Sequence, residues 1–125
     1  MLRHIHPPGF APPSVPLSPG VQAGDLLFVS GQIASRPDGS LLLGDFAAET
    51  ELALGNVEAI VTAAGGTVAS IVKVNAYLSN AILFAAFNEV YARRFATTRP
   101  ARTTVVVDFG HPDVRVEVEA VAYLG

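Results

Sequence analysis

Two segments near the end of this chain read as strands, yet carry charges where apolar residues would bury more easily. "RPARTTVVVDF", Arg99 to Phe109, has Arg102 near its start, and "VRVEVEAVAY", Val114 to Tyr123, has Glu117 and Glu119 two residues apart. Strand side chains have a period of two. Arg102, Thr104, Val106 and Asp108 therefore share a face. In the last segment Arg115, Glu117, Glu119, Val121 and Tyr123 point one way, and Val114, Val116, Val118, Ala120 and Ala122 the other. A charge on a packed sheet must be paired or reach water. Two readings follow for Arg102. It is an internal counter-ion for Glu117 or Glu119, or it keeps a free fork for a ligand carboxylate. A guanidinium grips a carboxylate bidentately and stays charged at any working pH.

Other chemistries find little support. The chain has no cysteine, so disulfides, thiol catalysis and zinc–thiolate sites are excluded. His4 and His6 form an H-x-H pair with no third ligand nearby, and no metal site is predicted there. His111, beside Pro112 and Asp113, reads as a turn residue. Asp108 is separated from Arg102 by three alternations of the strand and makes no nucleophile–base pair with it. No Ser-His-Asp order and no phosphate-cradling glycine loop is present. Eight Lys and Arg against eleven Asp and Glu give a net charge of −3, with Arg93-Arg94 the longest run of like charge. A phosphate-gripping protein normally shows a basic stripe, so no nucleic-acid partner is expected. The charge-free stretch Val74 to Asn88 is too short for a bilayer and carries Asn75, Asn80 and Asn88. With no secretory signal in "MLRHIHPPGFAPPSVP", a cytoplasmic protein without membrane contact is the expectation.

The elements that must hold these residues are legible in outline. At 125 residues the chain is one domain, 1–125. Residues 1–19 hold six of its nine prolines and read as an extended N-terminal segment. Gly20 and Gly24 flank a turn-prone link. "LLFVSGQIA", Leu26 to Ala34, reads as a strand reaching about Gly31, and "RPDGS" as a turn. From Phe46 to Ala64 an apolar stripe (Thr50, Ala53, Leu54, Val57, Ile60, Val61, Ala64) marks a helix, capped by Asp45 and stopped at Gly65-Gly66. Ser70 to Ser79 alternates as a strand. A second helix, capped by Ser79 or Asn80, shows Phe84, Phe87, Tyr91 and Phe95 as its core face. The two charged strands follow, Ala101 to Phe109 and Val114 to Tyr123. One stripe per helix predicts an α+β layer, with two helices on one face of a mixed sheet. The other face then needs cover. Only 15% of residues are charged, against about 25% in a typical protein, so contact between subunits is the expected cover.

The segments "FVSGQIA", "GNVEAIVTAAGG", "IVKVNAYLSN", "FNEVYARRF", "RPARTTVVV" and "VRVEVEAVA" together resemble the Rid family, the YjgF-like reactive intermediate deaminases. The resemblance runs in order from about Gly20 to the C-terminus, and "RPARTTV" followed by "VEVEAVA" is its most specific part. It implies a chorismate-mutase-like fold assembled as a homotrimer with ligand clefts between subunits. It further implies hydrolysis of small enamines and imines, such as 2-aminoacrylate, to 2-keto acids and ammonia without any cofactor. By position, Arg102 matches the arginine that clamps the substrate carboxylate, and Glu117 the acid that positions water. Ser30 and Thr104 match positions whose main-chain groups line the cleft, and Asn88 an asparagine of the second helix. One departure stands out. "VPLSPGV" replaces a "GPYSQA"-like segment, which puts Leu17 where a cleft tyrosine is usual and removes a hydroxyl. The alternative to catalysis is a non-catalytic sensor of 2-keto acids using the same Arg102. RNA cleavage, attributed to some similar proteins, is disfavoured by the acidic balance.

Overall fold

Alternation in the last strand organises the molecule. The computed structural model describes residues 1–125. Its strands are β1 (Leu2–Ile5), β2 (Gly20–Ala23), β3 (Leu26–Gln32), β4 (Ile71–Leu78), β5 (Ala101–Val106) and β6 (Val116–Tyr123). They form one sheet in the order β1-β2-β3-β6-β4-β5, antiparallel except for the parallel β4–β5 pair. Between the strands lie helices α1 (Phe46–Ala63) and α2 (Phe84–Arg94). A parallel pair needs a crossover, and α2 supplies it. The result is the expected α+β layer, a mixed six-stranded sheet with two helices.

The apolar stripes do as predicted. Thr50, Ala53, Leu54, Val57, Ile60, Val61 and Ala64 of the first helical segment are buried against Val116, Val118, Ala120 and Ala122 of β6 and their neighbours on β3 and β4. Asp45 caps α1 by accepting from the Ala48 N–H, and Gly65 takes the positive φ that ends it. Phe87, Tyr91 and Phe95 are buried, while Phe84 packs at the margin.

Four local expectations are corrected. Residues 20–23 are a strand rather than a turn-prone link, and the N-terminal segment contributes Leu2–Ile5 to the sheet beside it. Proline excludes helix but permits a short edge strand ahead of it. Asn80 caps a 3-10 turn, Ala81–Leu83, and α2 starts only at Phe84 with no side-chain cap. The strand pairing ends at Val106 rather than Phe109. Arg115 does not share the face of Glu117. It lies just before β6, turns toward α1 and pairs with Glu49, whose side chain is 2% exposed, while its guanidinium stacks 5.4 Å from the Phe46 ring centroid. A carboxylate that deep needs such a partner. The helix-side charge is thereby satisfied within the chain.

The face away from the helices carries no cover of its own. Leu26 pairs with Tyr123, Phe28 with Val121, and Tyr77 with both Glu117 and Val105 across the strands. Leu26, Phe28, Val105 and Tyr123 are each exposed.

Candidate functional site

Arg102 ends one row that runs across the whole sheet. Ile5, Gly20, Val29, Ala120, Val74 and Arg102 are successive cross-strand partners on the helix-covered face. The first five are buried. The sixth sits on the edge strand β5, where the row meets water and a cation is tolerated. Its guanidinium lies 4.7 Å from the Tyr91 ring centroid and 5.4 Å from that of Phe87. The aromatic stripe of α2 is thus core on one flank and a cation platform on the other. Burial pushes the Tyr91 hydroxyl above its ordinary pKa, and the nearby Arg102 charge only partly opposes this.

No carboxylate oxygen comes within 4.0 Å of Arg102. The ion pairs of the protein join Arg93 and Arg94 to Glu51, Arg94 to Glu58 and Arg115 to Glu49. The counter-ion reading is therefore overturned, and for a geometric reason. Glu117 pairs with Tyr77 and Glu119 with Asn75, on the face opposite to Arg102. Instead, Arg102 borders a cleft of about 360 Å³ with Asn88, Tyr91, Ala92, Arg99 and Pro100. Two buried hydroxyls on this side, Tyr91 Oη and Thr104 Oγ1, have no hydrogen-bond partner. Val107 donates its N–H to Leu78 O. By strand alternation the main-chain groups of Arg102 and Thr104 then face the free edge of β5, open to a ligand or another chain.

The second half of the predicted site lies on the other face. Pairing of β3 with β6 slips between Val29 and Gln32, so Ser30 and Gly31 form a bulge. The Glu117 carboxyl rests over Gly31, where a Cβ would overlap it. Burial raises the Glu117 pKa above the ordinary 4.5, and the neighbouring Glu119 charge raises it further. Glu119 accepts a hydrogen bond from the Tyr77 hydroxyl, whose own pKa is pushed up to about 12 chiefly by that bond. Such a carboxyl binds a proton more readily than an ordinary glutamate does.

Ser30 itself is already engaged. Its N–H donates to Pro19 O at 2.9 Å, its hydroxyl to Ser18 O at 2.6 Å, and its carbonyl accepts from the Gln32 amide at 3.1 Å. Ser30 therefore braces the segment before β2. Leu17 is exposed two residues ahead of Pro19 and lines a larger cavity of about 460 Å³ together with Gln32 and Ile33. Within one protomer, then, Glu117 and the Ser30–Gly31 bulge lie on one face, Leu17 lines the separate larger cavity, and Arg102, Thr104 and Asn88 lie on the other side of the sheet. Gly31, Tyr77 and Arg99 were not singled out from sequence, and Tyr91 was read only as core. Only Gly31, inside "SGQ", had a local signal.

The remaining candidates stay apart. The His4 Nδ1 lies 3.0 Å from Ser18 Oγ and His6 Nε2 lies 2.8 Å from Phe10 O, an N–H donating to a carbonyl. No three His, Asp or Glu side chains converge as metal ligands would. No helix is long and apolar enough to cross a membrane.

Known proteins match this architecture over nearly its full length. A family profile described as Endoribonuclease L-PSP matches residues 9–124. A RutC family protein of Pyrococcus horikoshii is 41% identical over 112 residues, 89% of either chain. The crystal structure of the E. coli YjgF gene product superposes with a TM-score of 0.90 at 35% identity, covering 97% of this chain and 98% of that one. E. coli TdcF, solved with bound serine, superposes with a TM-score of 0.91 at 35% identity over 98% and 99% of the two chains. Since the profile and these relatives span almost every residue that builds the sheet, both helices, and Arg102 and Glu117, the chain belongs to the Endoribonuclease L-PSP family, the YjgF-like or Rid proteins.

Proposed function

We propose that this chain hydrolyses small reactive enamine and imine acids, 2-aminoacrylate among them, to 2-keto acids and ammonia in clefts between subunits of a homotrimer. Family membership supports a small-molecule-processing role. One observation carries the finer reading: Arg102 is held on two aromatic faces with no acid to neutralise it and a cleft beside it. The fork meets the α-carboxylate that every such substrate has. TdcF with bound serine supports this, because serine carries the same group.

The chemistry asks for little else. The enamine tautomerises to an imine, water adds to the C=N carbon to give a carbinolamine, and ammonia leaves as the C=O forms. Arg102 fixes the carboxylate. Glu117, its pKa raised by burial, orients the water and accepts its proton, then returns one to the departing nitrogen. These are proximity and acid–base contributions. Arg102 and Glu117 lie on opposite sheet faces, so this division of labour joins the Arg102 edge of one subunit to the Glu117 face of another. The uncovered sheet face supports that assembly.

The bound serine in TdcF equally favours a second reading, a sensor that holds small amino or keto acids without converting them. A third, RNA cleavage, is weakened by the net charge of −3 and the absence of a basic run. The test generates 2-aminoacrylate in situ with a serine dehydratase and follows its decay. Added protein should accelerate decay, Arg102→Ala should return it to near background, and Glu117→Ala should remove most of the effect. Unaltered decay alongside tight 2-keto acid binding would establish the sensor instead.

A further inference from the structure

The cleft beside Arg102 contains a second cation. Arg99 lines the same 360 Å³ space, as do the Asn88 side chain and the ring of Tyr91. Arg99 is exposed and makes no ion pair, since no acid lies within 4.0 Å of it. The other basic side chains all have polar partners. Arg93, Arg94 and Arg115 each pair with a glutamate, while Arg3, Arg36 and Lys73 donate to neutral oxygens; the Arg99 and Arg102 side chains do neither. In a protein of net charge −3, two unneutralised guanidiniums share a cleft lined by no acid. Like charges brought together without compensation repel, and a dianion relieves that repulsion where a monoanion relieves only half of it.

The local backbone holds the two forks toward one space. Pro100 fixes its own φ and biases Arg99 to an extended conformation. Arg102 follows in β5, its guanidinium braced on Tyr91 and Phe87. Asn88, one turn before Tyr91 on α2, adds an amide that can donate to a further oxygen. Three polar side chains, from α2, β5 and the segment between them, therefore surround a volume large enough for a small organic acid.

We infer that Arg99 is a specificity-determining residue and that the preferred ligands of this cleft are dicarboxylic: 2-imino diacids such as 2-iminoglutarate, and the 2-keto diacids they become. This rests on the deaminase reading for turnover but not for binding. Arg102 takes the α-carboxylate, Arg99 takes the distal one, and Asn88 donates to the group between or beside them. Hydrolysis is unchanged in outline: the C=N bond gains water and becomes C=O with release of ammonia, and the distal carboxylate takes no part in bond making. The upstream reaction must then be an oxidation or elimination acting on an amino acid with a second acidic group.

The experiment has two arms. Calorimetry compares 2-oxoglutarate with 2-oxobutyrate at low ionic strength, where exposed charges are least screened. The diacid should bind about fivefold or more tighter, the yield of one partly exposed charge-assisted contact. Arg99→Met should bring the two ligands within twofold, Arg99→Lys should keep part of the preference, and Arg93→Met, outside the cleft, should leave it intact. The second arm follows decay of 2-iminoglutarate, made by L-glutamate oxidase with catalase, and of 2-iminobutyrate, made by threonine dehydratase. The protein should accelerate the first more than the second, and Arg99→Met should remove the difference. Equal affinity for the two keto acids, or a preference that survives Arg99→Met, overturns the inference. Diacid preference in binding with neither imine accelerated sinks the deaminase reading while the inference stands. Acceleration of both imines without preference leaves deamination standing and sinks the inference.

Discussion

At Glu117, burial disfavours the ionised form of a carboxyl and so costs the fold stability wherever that form prevails. Its pKa lies above 4.5 because burial disfavours the ionised form, and Glu119, pinned by the Tyr77 hydroxyl, adds a second negative charge beside it. The sign follows from linkage. A carboxyl whose pKa is raised on folding stabilises the protein most at pH below its unfolded value, and that benefit is lost as pH climbs through the folded value. Glu117→Gln removes the ionisation and fills nearly the same volume. Its melting temperature should match wild type well below pH 4.5 and exceed it at neutrality, while deamination at neutrality falls. Thermal melts of the two proteins at both pH values check this. A variant less stable than wild type at neutral pH would mean that the Glu117 charge is favourably paired after all. Arg102 is the reverse case, a half-buried charge held between aromatic faces and a cleft that leaves it partly open to water.

At the level of elements, the bulge at Ser30 and Gly31 is what admits the Glu117 carboxyl to this face. Pairing between β3 and β6 slips there, and the missing Cβ of Gly31 leaves the space that the carboxyl fills. Gly31 has no positive φ, so Gly31→Ala strains no backbone. Its methyl meets only the end of a flexible side chain. The expected outcome is a protein that melts within a few degrees of wild type yet loses most of its 2-aminoacrylate turnover, because Glu117 is pushed from its place. A fall in both together would make the glycine a folding requirement instead. "SGQ" could be quoted from the sequence, but not this reason for it, since a bulge is a property of two strands and only one is local. The same limit explains the other gaps. The stripe of α1, its Asp45 cap and the two faces of β6 were readable because each depends on periodicity within one segment. β1 and β2 were not, because their pairing joins residues on either side of a proline-rich stretch. The Arg115–Glu49 pair spans 66 positions, and no local pattern announces it. Arg102 and Glu117 were both found as charged strand residues. That they point to opposite sides could not be, because alternation gives each strand two faces and only the register through β4 says which faces coincide.

At the scale of the whole molecule that register has a consequence which a single chain cannot satisfy. Tyr77 and Val74 of β4 mark the rows of Glu117 and Arg102, three residues apart and on opposite faces. The rows are thus separated by about 10 Å along the strand and by the thickness of the sheet. One small acid cannot touch both within a protomer. The proposed reaction, which needs both, therefore calls for Arg102 from one subunit and Glu117 from the next, around a closed ring. Two inactive variants should then repair each other. Arg102→Ala and Glu117→Ala, unfolded together in equal amounts and refolded, should recover about a quarter of wild-type activity, since an intact junction needs an Arg102 donor and a Glu117 donor that each carry the mutation at their other site. Mixing the folded proteins without unfolding should recover less, in proportion to how slowly subunits exchange. Size-exclusion chromatography of each variant, run beside the assay, should show three times the 13.0 kDa chain mass and rules out misassembly as the cause of inactivity. Activity of the refolded mixture no greater than that of either variant alone would place both residues' work inside one chain, against the geometry of the sheet. Recovery near a quarter would assign the chemistry to the seams between chains and explain why this protein leaves one face of its sheet bare.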